Sequence, residues 1–123
     1  MKQFFQNFFK KKELKVDNFD VDPEQFHDLL QKKTQIKLID VRRQEEYDQG
    51  HIQNAALLPV QELSQERIDA LDIKKEDEIL LYCRSGGRSG KALEQFLQLG
   101  YINTKHLAGG MLAWQEKRLP VKK

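Results

Sequence analysis

The chain has 123 residues, a hydrophobic fraction of 39% and a net charge of +2, which together fit one domain of ordinary size. It contains no apolar run of about 18 residues, so the sequence predicts no transmembrane helix. Its single cysteine excludes an internal disulfide, and its three histidines show no metal-ligand spacing. We therefore expect a cytoplasmic protein without a structural metal and without a cofactor.

The positive charge is concentrated at the N-terminus. Residues 1–15 carry five lysines and one glutamate, whereas the other 108 residues sum to −2. A mildly acidic body has no large basic face, which argues against nucleic-acid binding. Four residues of this segment fall on one face of a helix, namely Phe4, Phe5, Phe8 and Phe9. We interpret residues 1–15 as an amphipathic arm and residues 16–123 as the domain. The arm either packs on the domain or touches a membrane surface or a partner protein.

Short strands and helices alternate from residue 19 onwards. The first predicted helix has Asp22 as its N-cap and Pro23 at its first position, and Gly50 closes the second helix. The predicted elements of this half are a strand over 18–21, a helix over 22–33, a strand over 36–41, a helix over 42–50, a strand over 55–60 and a helix over 61–71.

The second half continues the alternation and contains the most apolar strand. Residues 78–83 form a near-continuous apolar run, typical of a strand that is covered on both faces. The elements that follow are a helix over 89–101, a strand over 104–108 and a helix over 109–120, in which Trp114 is expected to anchor the core. This order predicts an α/β fold with three α/β/α layers around a mainly parallel sheet of about five strands.

Cys83 ends the apolar strand, at the point where a helix is about to begin. Open α/β sheets place their sites beyond the carboxyl ends of strands, so this cysteine occupies a functional position. The following Gly86 and Gly87 can take positive φ, which would turn several backbone N–H groups towards one centre. The segment therefore predicts a ring of amides around the sulfur rather than an inert core cysteine.

The loop also carries positive charge close to the cysteine. Arg84 and Arg88 flank the glycines, and Ser89 is placed to cap the next helix, whose N-terminus adds partial positive charge. These features favour a thiolate over a thiol and would hold an anion beside the sulfur. The pattern predicts a nucleophilic cysteine with its own oxyanion site.

Three blocks of the sequence resemble the single-domain rhodanese family, whose members are thiosulfate sulfurtransferase-type proteins. They are "LIDVRRQEEYDQGHIQNAALLPV" (38–60), "YCRSGGRS" (82–89) and "LAGGMLAWQEKRLPV" (107–121). With their connecting elements they cover about residues 19–121. The chain departs from the family pattern at Asn54 and Arg118, where glycine is usual. Asn tolerates a left-handed backbone, so we expect the turn at Asn54 to persist.

The resemblance implies that Cys83 accepts a sulfane sulfur as a persulfide. It implies that the loop binds this sulfur and an anionic donor through Arg84, Ser85, Gly86, Gly87, Arg88 and Ser89. Three further matching positions, Asp40, Arg42 and His51, are expected to support the loops structurally. The implied partners are a small anionic sulfur donor and a thiol acceptor, either a low-molecular-weight thiol or a carrier protein.

Two other functions remain open at this point. One is a phosphatase or arsenate reductase of the related cell-cycle phosphatase type, whose active-site loop has the spacing Cys-x5-Arg. Cys83 and Arg88 are spaced as Cys-x4-Arg, and this shorter loop suits a single sulfur better than a phosphate. The absence of a second cysteine also weakens an intramolecular redox mechanism. A rhodanese module used only for protein binding or sensing would be expected to have lost the cysteine or its loop, and both are intact.

Overall fold

The computed structural model describes residues 19–33 and 35–123. The predicted arm, residues 1–15, lies outside the described residues. Five strands are present: β1 (Asp20–Val21), β2 (Lys37–Asp40), β3 (Ala56–Leu57), β4 (Ile79–Tyr82) and β5 (Thr104–Leu107). The five α-helices are α1 (Pro23–Lys32), α2 (Gln44–Gln49), α3 (Gln65–Ala70), α4 (Gly87–Gln98) and α5 (Gly110–Glu116).

The strands form one parallel sheet in the order β1-β5-β4-β2-β3. The β4 strand is central and fully buried, as its apolar run predicted. Side chains of a strand alternate between the two faces, so Ile79 and Leu81 pack with α3 and α4 while Leu80 and Tyr82 pack with α1 and α5. The predicted three-layer α/β/α fold with a parallel sheet is thus confirmed.

Several local predictions are confirmed by backbone geometry. The Asp22 carboxylate accepts a hydrogen bond from the Gln25 amide at 2.9 Å and so caps α1. Asn54 has φ 74° and Arg118 has φ 58°, so both residues adopt the left-handed conformation where the family has glycine. Trp114 is 1% exposed and its indole N–H donates to the Pro120 carbonyl.

The elements on either side of residue 60 differ in extent from the prediction. The helix predicted over 61–71 is divided into a short 3-10 helix, Val60–Glu62, and α3. Ser64 causes the break, because its hydroxyl accepts from the Arg67 amide and starts a new helix. The strand predicted over 55–60 is only two residues long, β3, because Pro59 and the 3-10 turn follow it.

None of the helices in residues 19–33 and 35–123 combines the length and the apolar character that a membrane crossing requires.

Candidate active site

The position of Cys83 is fixed from both sides of the sheet edge. It follows β4 directly and is 1% exposed. The first turn of α5 holds the chain there, because the amides of Met111 and Leu112 donate to the carbonyls of Cys83 and Arg84 at 2.9 and 3.0 Å. Gly110 allows this approach, since a Cβ at that position would lie 2.6 Å from the Cys83 carbonyl oxygen. Gly110, the first residue of α5, thus serves the geometry of the cysteine loop.

The sulfur of Cys83 receives hydrogen bonds from the backbone of the loop. The amides of Gly86 and Ser89 donate to Sγ at 3.1 and 3.3 Å. Gly86 has φ 113°, which turns its N–H towards the sulfur and which a residue with a Cβ would adopt only under strain. Gly87 does not share this conformation: the prediction of positive φ there is wrong, because Gly87 is already the first residue of α4.

Hydrogen bonds within the loop stabilise the thiolate. Burial is the largest influence and raises the pKa of Cys83, but it is outweighed by hydrogen bonds. These come from the Ser89 hydroxyl and from the amides of Ser89, Gly86 and Ser85, and they hold the pKa of the thiol below its ordinary value. The lowered pKa favours the nucleophilic form of the sulfur.

Ser89 has a different place from the one the sequence predicted. The N-cap of α4 is Gly86, so Ser89 lies inside the first turn and does not cap the helix. Its side chain is buried, and its hydroxyl oxygen lies 3.5 Å from the Cys83 sulfur, where it can accept from the thiol or donate to the thiolate. The same hydroxyl lies 2.8 Å from Nδ1 of His106 and 3.3 Å from the Gly86 carbonyl oxygen.

His106 and Asp20 extend this contact to the edge of the sheet, and sequence reasoning missed both. Nε2 of His106 lies 2.7 Å from the carboxylate of Asp20. The two residues are register partners on the parallel strands β1 and β5. A signal was present in the sequence: a histidine in a strand that is otherwise buried needs a polar partner.

The two arginines of the loop occupy unlike positions. Arg84 is exposed, and it borders a depression of about 220 Å³ that Glu46, Leu112 and Gln115 also line. Arg88 is half-buried and forms a two-pronged ion pair with Glu46, with N–O distances of 2.7 and 2.9 Å. Glu46 is a further residue that the sequence did not single out. Its hydrogen bond with Arg88 is the main cause that lowers its pKa to about 2.

The three residues predicted as support lie at neighbouring loops rather than at the sulfur. Arg42 forms a buried two-pronged pair with Asp40 and also donates to the Gly50 carbonyl at 2.6 Å. His51 stacks on Tyr47 with ring centroids 3.8 Å apart, and Nδ1 of His51 lies 3.0 Å from the Tyr47 carbonyl oxygen. These contacts join the end of β2 to the end of α2.

The described residues offer no metal-binding geometry. No group of three or more His, Cys, Asp or Glu side chains within 19–33 and 35–123 is placed to hold a metal ion.

Comparison with known proteins places this loop in a family. The Rhodanese-like domain model matches residues 22–117. The chain belongs to the rhodanese family. The matched range contains the Cys83 loop, Glu46 and His106, and it leaves Asp20 just outside.

Relatives of this rhodanese carry sulfurtransferase names. A "Sulfurtransferase" of Allochromatium vinosum is 33% identical over 102 residues, which cover 83% of this chain and 92% of the relative. The "Thiosulfate sulfurtransferase PspE" of Escherichia coli is 40% identical over 73 residues, or 59% of this chain and 68% of the relative. The solved "Human Single Domain Sulfurtranferase TSTD1" has a TM-score of 0.71 at 30% identity, covering 81% of this chain and 97% of that structure.

Some relatives are much longer. This chain spans 25% of the "Probable adenylyltransferase/sulfurtransferase MoeZ" of Mycobacterium tuberculosis, at 32% identity over 100 residues. The family therefore includes both proteins of this chain's size and proteins in which a segment like it is one part.

Proposed function

We propose that the protein is a sulfurtransferase that carries a sulfane sulfur on Cys83. The donor is thiosulfate or a persulfide, and the acceptor is a thiol or cyanide. The observation that carries the proposal is the set of hydrogen bonds on the Cys83 sulfur, which lower the pKa of the thiol despite its burial. The names of the relatives support the same reaction class.

The reaction has two steps, each balanced at sulfur. The Cys83 thiolate attacks the outer sulfur of thiosulfate, the S–S bond breaks, and sulfite leaves with the bonding electron pair. The resulting persulfide anion then lies within the loop, where N–H groups such as those of Gly86 and Ser89 are available to it. In the second step a thiolate or cyanide attacks the outer sulfur, and the Cys83 thiolate is released.

The low exposure of the Cys83 sulfur limits which donors can reach it. Cys83 is 1% exposed, so a donor must present a protruding terminal sulfur rather than a bulky group. Thiosulfate and persulfides both end in such an atom. An aryl phosphate does not, and Arg88, which a phosphatase would aim at the phosphate, is paired with Glu46. These observations favour sulfur transfer over phosphatase or arsenate chemistry.

The proposed roles of the other residues follow from their positions. The exposed Arg84 attracts an anionic donor, and Ser85, Gly86 and Gly87 line its approach, while the buried Ser89 contacts the sulfur from the protein side. We assign Asp40, Arg42 and His51 to support of the neighbouring loops. The acceptor is a low-molecular-weight thiol or a thiol of a carrier protein.

Intact-mass measurement after incubation with thiosulfate tests the proposal. The wild-type protein should gain the mass of one sulfur, and cyanide or a thiol should remove it. Cys83→Ser should gain no mass and should lose all thiosulfate:cyanide transfer, because the hydroxyl of serine cannot form a persulfide. The small change in volume should leave the circular dichroism spectrum unchanged. Transfer activity retained by a clean Cys83→Ser preparation would end this proposal.

A further inference from the structure

A continuous line of polar contacts leads from the Cys83 sulfur to the outer strand of the sheet. The distances are 3.5 Å from Sγ to the Ser89 hydroxyl, 2.8 Å from that hydroxyl to Nδ1 of His106, and 2.7 Å from Nε2 to the Asp20 carboxylate. Ser89 is fully buried, the His106 side chain is 7% exposed, and the Asp20 side chain is 40% exposed. The sulfur chemistry described above makes no use of His106 or Asp20.

The direction of each hydrogen bond follows from what each group can donate. An ionised carboxylate only accepts, so Nε2 of His106 must carry a proton and donate to Asp20. When His106 is neutral, its Nδ1 is therefore an acceptor, and the Ser89 hydroxyl donates to it. The Ser89 oxygen then faces Cys83 with its lone pairs, which suits a thiol that donates but repels a thiolate.

The thiolate requires the opposite arrangement. If His106 is an imidazolium, Nδ1 also carries a proton and donates to the Ser89 oxygen. The Ser89 hydroxyl is then released from Nδ1 and can donate to the sulfur at 3.5 Å, with the Gly86 carbonyl oxygen at 3.3 Å as the other acceptor within reach. A thiolate at Cys83 and an imidazolium at His106 are consequently compatible with the same atom positions, and so are a thiol and a neutral imidazole.

We propose that Ser89, His106 and Asp20 form a proton relay that takes the proton of the Cys83 thiol. The thiol proton moves to the Ser89 oxygen while the Ser89 proton moves to Nδ1 of His106. One S–H and one O–H bond break, one O–H and one N–H bond form, and no proton leaves the protein. The inference rests on the proposed role of Cys83 as nucleophile, with His106 and Asp20 as positioning residues that act through Ser89.

The Asp20 carboxylate offsets the free-energy cost of burying an imidazolium. A charged histidine in the interior is costly unless an opposite charge and hydrogen bonds compensate it. Asp20 supplies both, and its partial exposure leaves the carboxylate hydrated on one side. The arrangement shares its logic with other relays in which a carboxylate orients a histidine that accepts a proton from a nucleophile.

Charged groups lie near both ends of the relay: Asp28, Lys32 and Lys105 line a surface depression together with Asp20, and Arg88 lies at the sulfur end. Arg88 belongs to the same helix as Ser89 and is bound to Glu46 from α2. Among residues 19–33 and 35–123, the titratable side chains other than His106 that hydrogen-bond to Ser89 or to the His106 ring are Cys83 and Asp20, respectively. A change in the protonation state of Cys83 should therefore appear as a change in the protonation state of the His106 ring.

Nitrogen NMR of the His106 ring tests the relay in a protein that needs no change at His106 or Asp20. In the wild type at neutral pH, the ring should give imidazolium shifts as long as Cys83 is free. Alkylation of Cys83, or Cys83→Ser, removes the transferable proton, and the ring should then give the shifts of a neutral imidazole with the proton on Nε2. Identical His106 shifts in the free and alkylated protein would overturn the proposal.

Variants supply the second measurement. His106→Gln keeps a donor and an acceptor but cannot take up a proton, so alkylation of Cys83 by iodoacetamide should be about tenfold slower at neutral pH, with its pH profile moved upward by about one unit. Thr104→Val is the matched control, because Thr104 is a buried polar residue of the same strand whose hydroxyl bonds only to the Tyr101 carbonyl. An equal shift in both variants would reduce His106 to a structural role.

Non-additivity sharpens the result. Ser89→Ala removes the link between His106 and the sulfur, so His106→Gln should change the alkylation profile no further in that background. A full additional shift would contradict the relay. The persulfide mass test fails or succeeds independently of these profiles: a protein that forms no persulfide but shows the coupled His106 shifts would refute the proposed function and leave the relay intact.

Discussion

The loop contains two arginines that the sequence treats alike and the fold treats differently. Arg84 is exposed, and it makes no ion pair with any residue in the described ranges 19–33 and 35–123. Arg88, four residues later, is held by Glu46 through two hydrogen bonds at 2.7 and 2.9 Å. The first guanidinium keeps its full charge for a ligand, whereas the charge of the second is balanced within the protein.

This difference separates two tasks that the sequence had assigned to both arginines together. The main causes that lower the pKa of Cys83 are hydrogen bonds from the hydroxyl and amides of the loop, while the charge of Arg88 interacts favourably with the ionised sulfur. The expectation that both arginines favour the thiolate stays a prediction for Arg84, and the charge of Arg88 agrees with it. We propose that attraction of the anionic donor falls to Arg84, whose charge no residue within 19–33 and 35–123 balances. Arg88 instead joins the first turn of α4 to α2.

Replacement of Arg84 should give the largest effect of the three changes that test this comparison. Arg84→Ala removes the unbalanced cation, so KM for thiosulfate should rise about fivefold to tenfold at low salt. The rise should shrink at high salt, because exposed charges are screened. The melting temperature should not change.

Steady-state kinetics at two salt concentrations make the measurement, with Lys91→Ala as the control for a lysine of α4 that lies outside the loop. Unchanged KM in Arg84→Ala, or an equal rise in both variants, would remove Arg84 from donor binding.

Replacement of Arg88 should act on stability more than on KM. Arg88→Ala leaves the Glu46 carboxylate, whose side chain is only 18% exposed, without its partner. We expect the free energy of unfolding to fall by about 1 kcal/mol at neutral pH, since a partly solvated pair is screened.

The pH dependence gives this prediction its sign. The pKa of Glu46 is lowered from 4.5 to about 2 in the folded protein, so its contribution is present above pH 4.5 and is lost as the pH falls through about 2. The stability difference between wild type and Arg88→Ala should therefore vanish in that window. Urea unfolding at several pH values checks this, and a difference that persists at low pH would point to a cause other than the ion pair.

The sequence predicted the part of the site that is local in the chain. The end of a buried strand, the cysteine and the turn at Gly86 lie within a few residues, and each has a propensity that is visible in isolation. The error at Gly87 and Ser89 arose because α4 begins two residues earlier than expected, at Gly87. The α5 amides that hold the carbonyls of Cys83 and Arg84 are a tertiary contact without a local signature.

The missed residues are distant in sequence from the groups they serve. Glu46 lies 42 positions before Arg88, and Asp20 lies 86 positions before His106. Strand order decides the second contact, because β1 pairs with β5 and so brings residue 20 beside residue 106. The pattern of strands and helices predicted a parallel sheet, but it did not predict this order, and no single-residue property could supply it.

The smallest change, Glu46→Gln, should turn the second arginine into a copy of the first. The amide oxygen of Gln can still accept from the Arg43 amide, as Glu46 does at 2.9 Å, so the start of α2 should persist. The negative charge that balances Arg88 is lost, however, and the loop then has two uncompensated cations. KM for thiosulfate should fall about twofold at low salt, while kcat stays the same. In the Arg84→Ala background the same substitution should restore part of the lost affinity, because Arg88 would replace the missing charge.

Glu45→Gln is the control, since Glu45 is an exposed neighbour that does not contact Arg88. If Glu46→Gln and Glu45→Gln lowered KM equally, net charge alone would explain the effect, and the local contrast between Arg84 and Arg88 would have no part in donor binding.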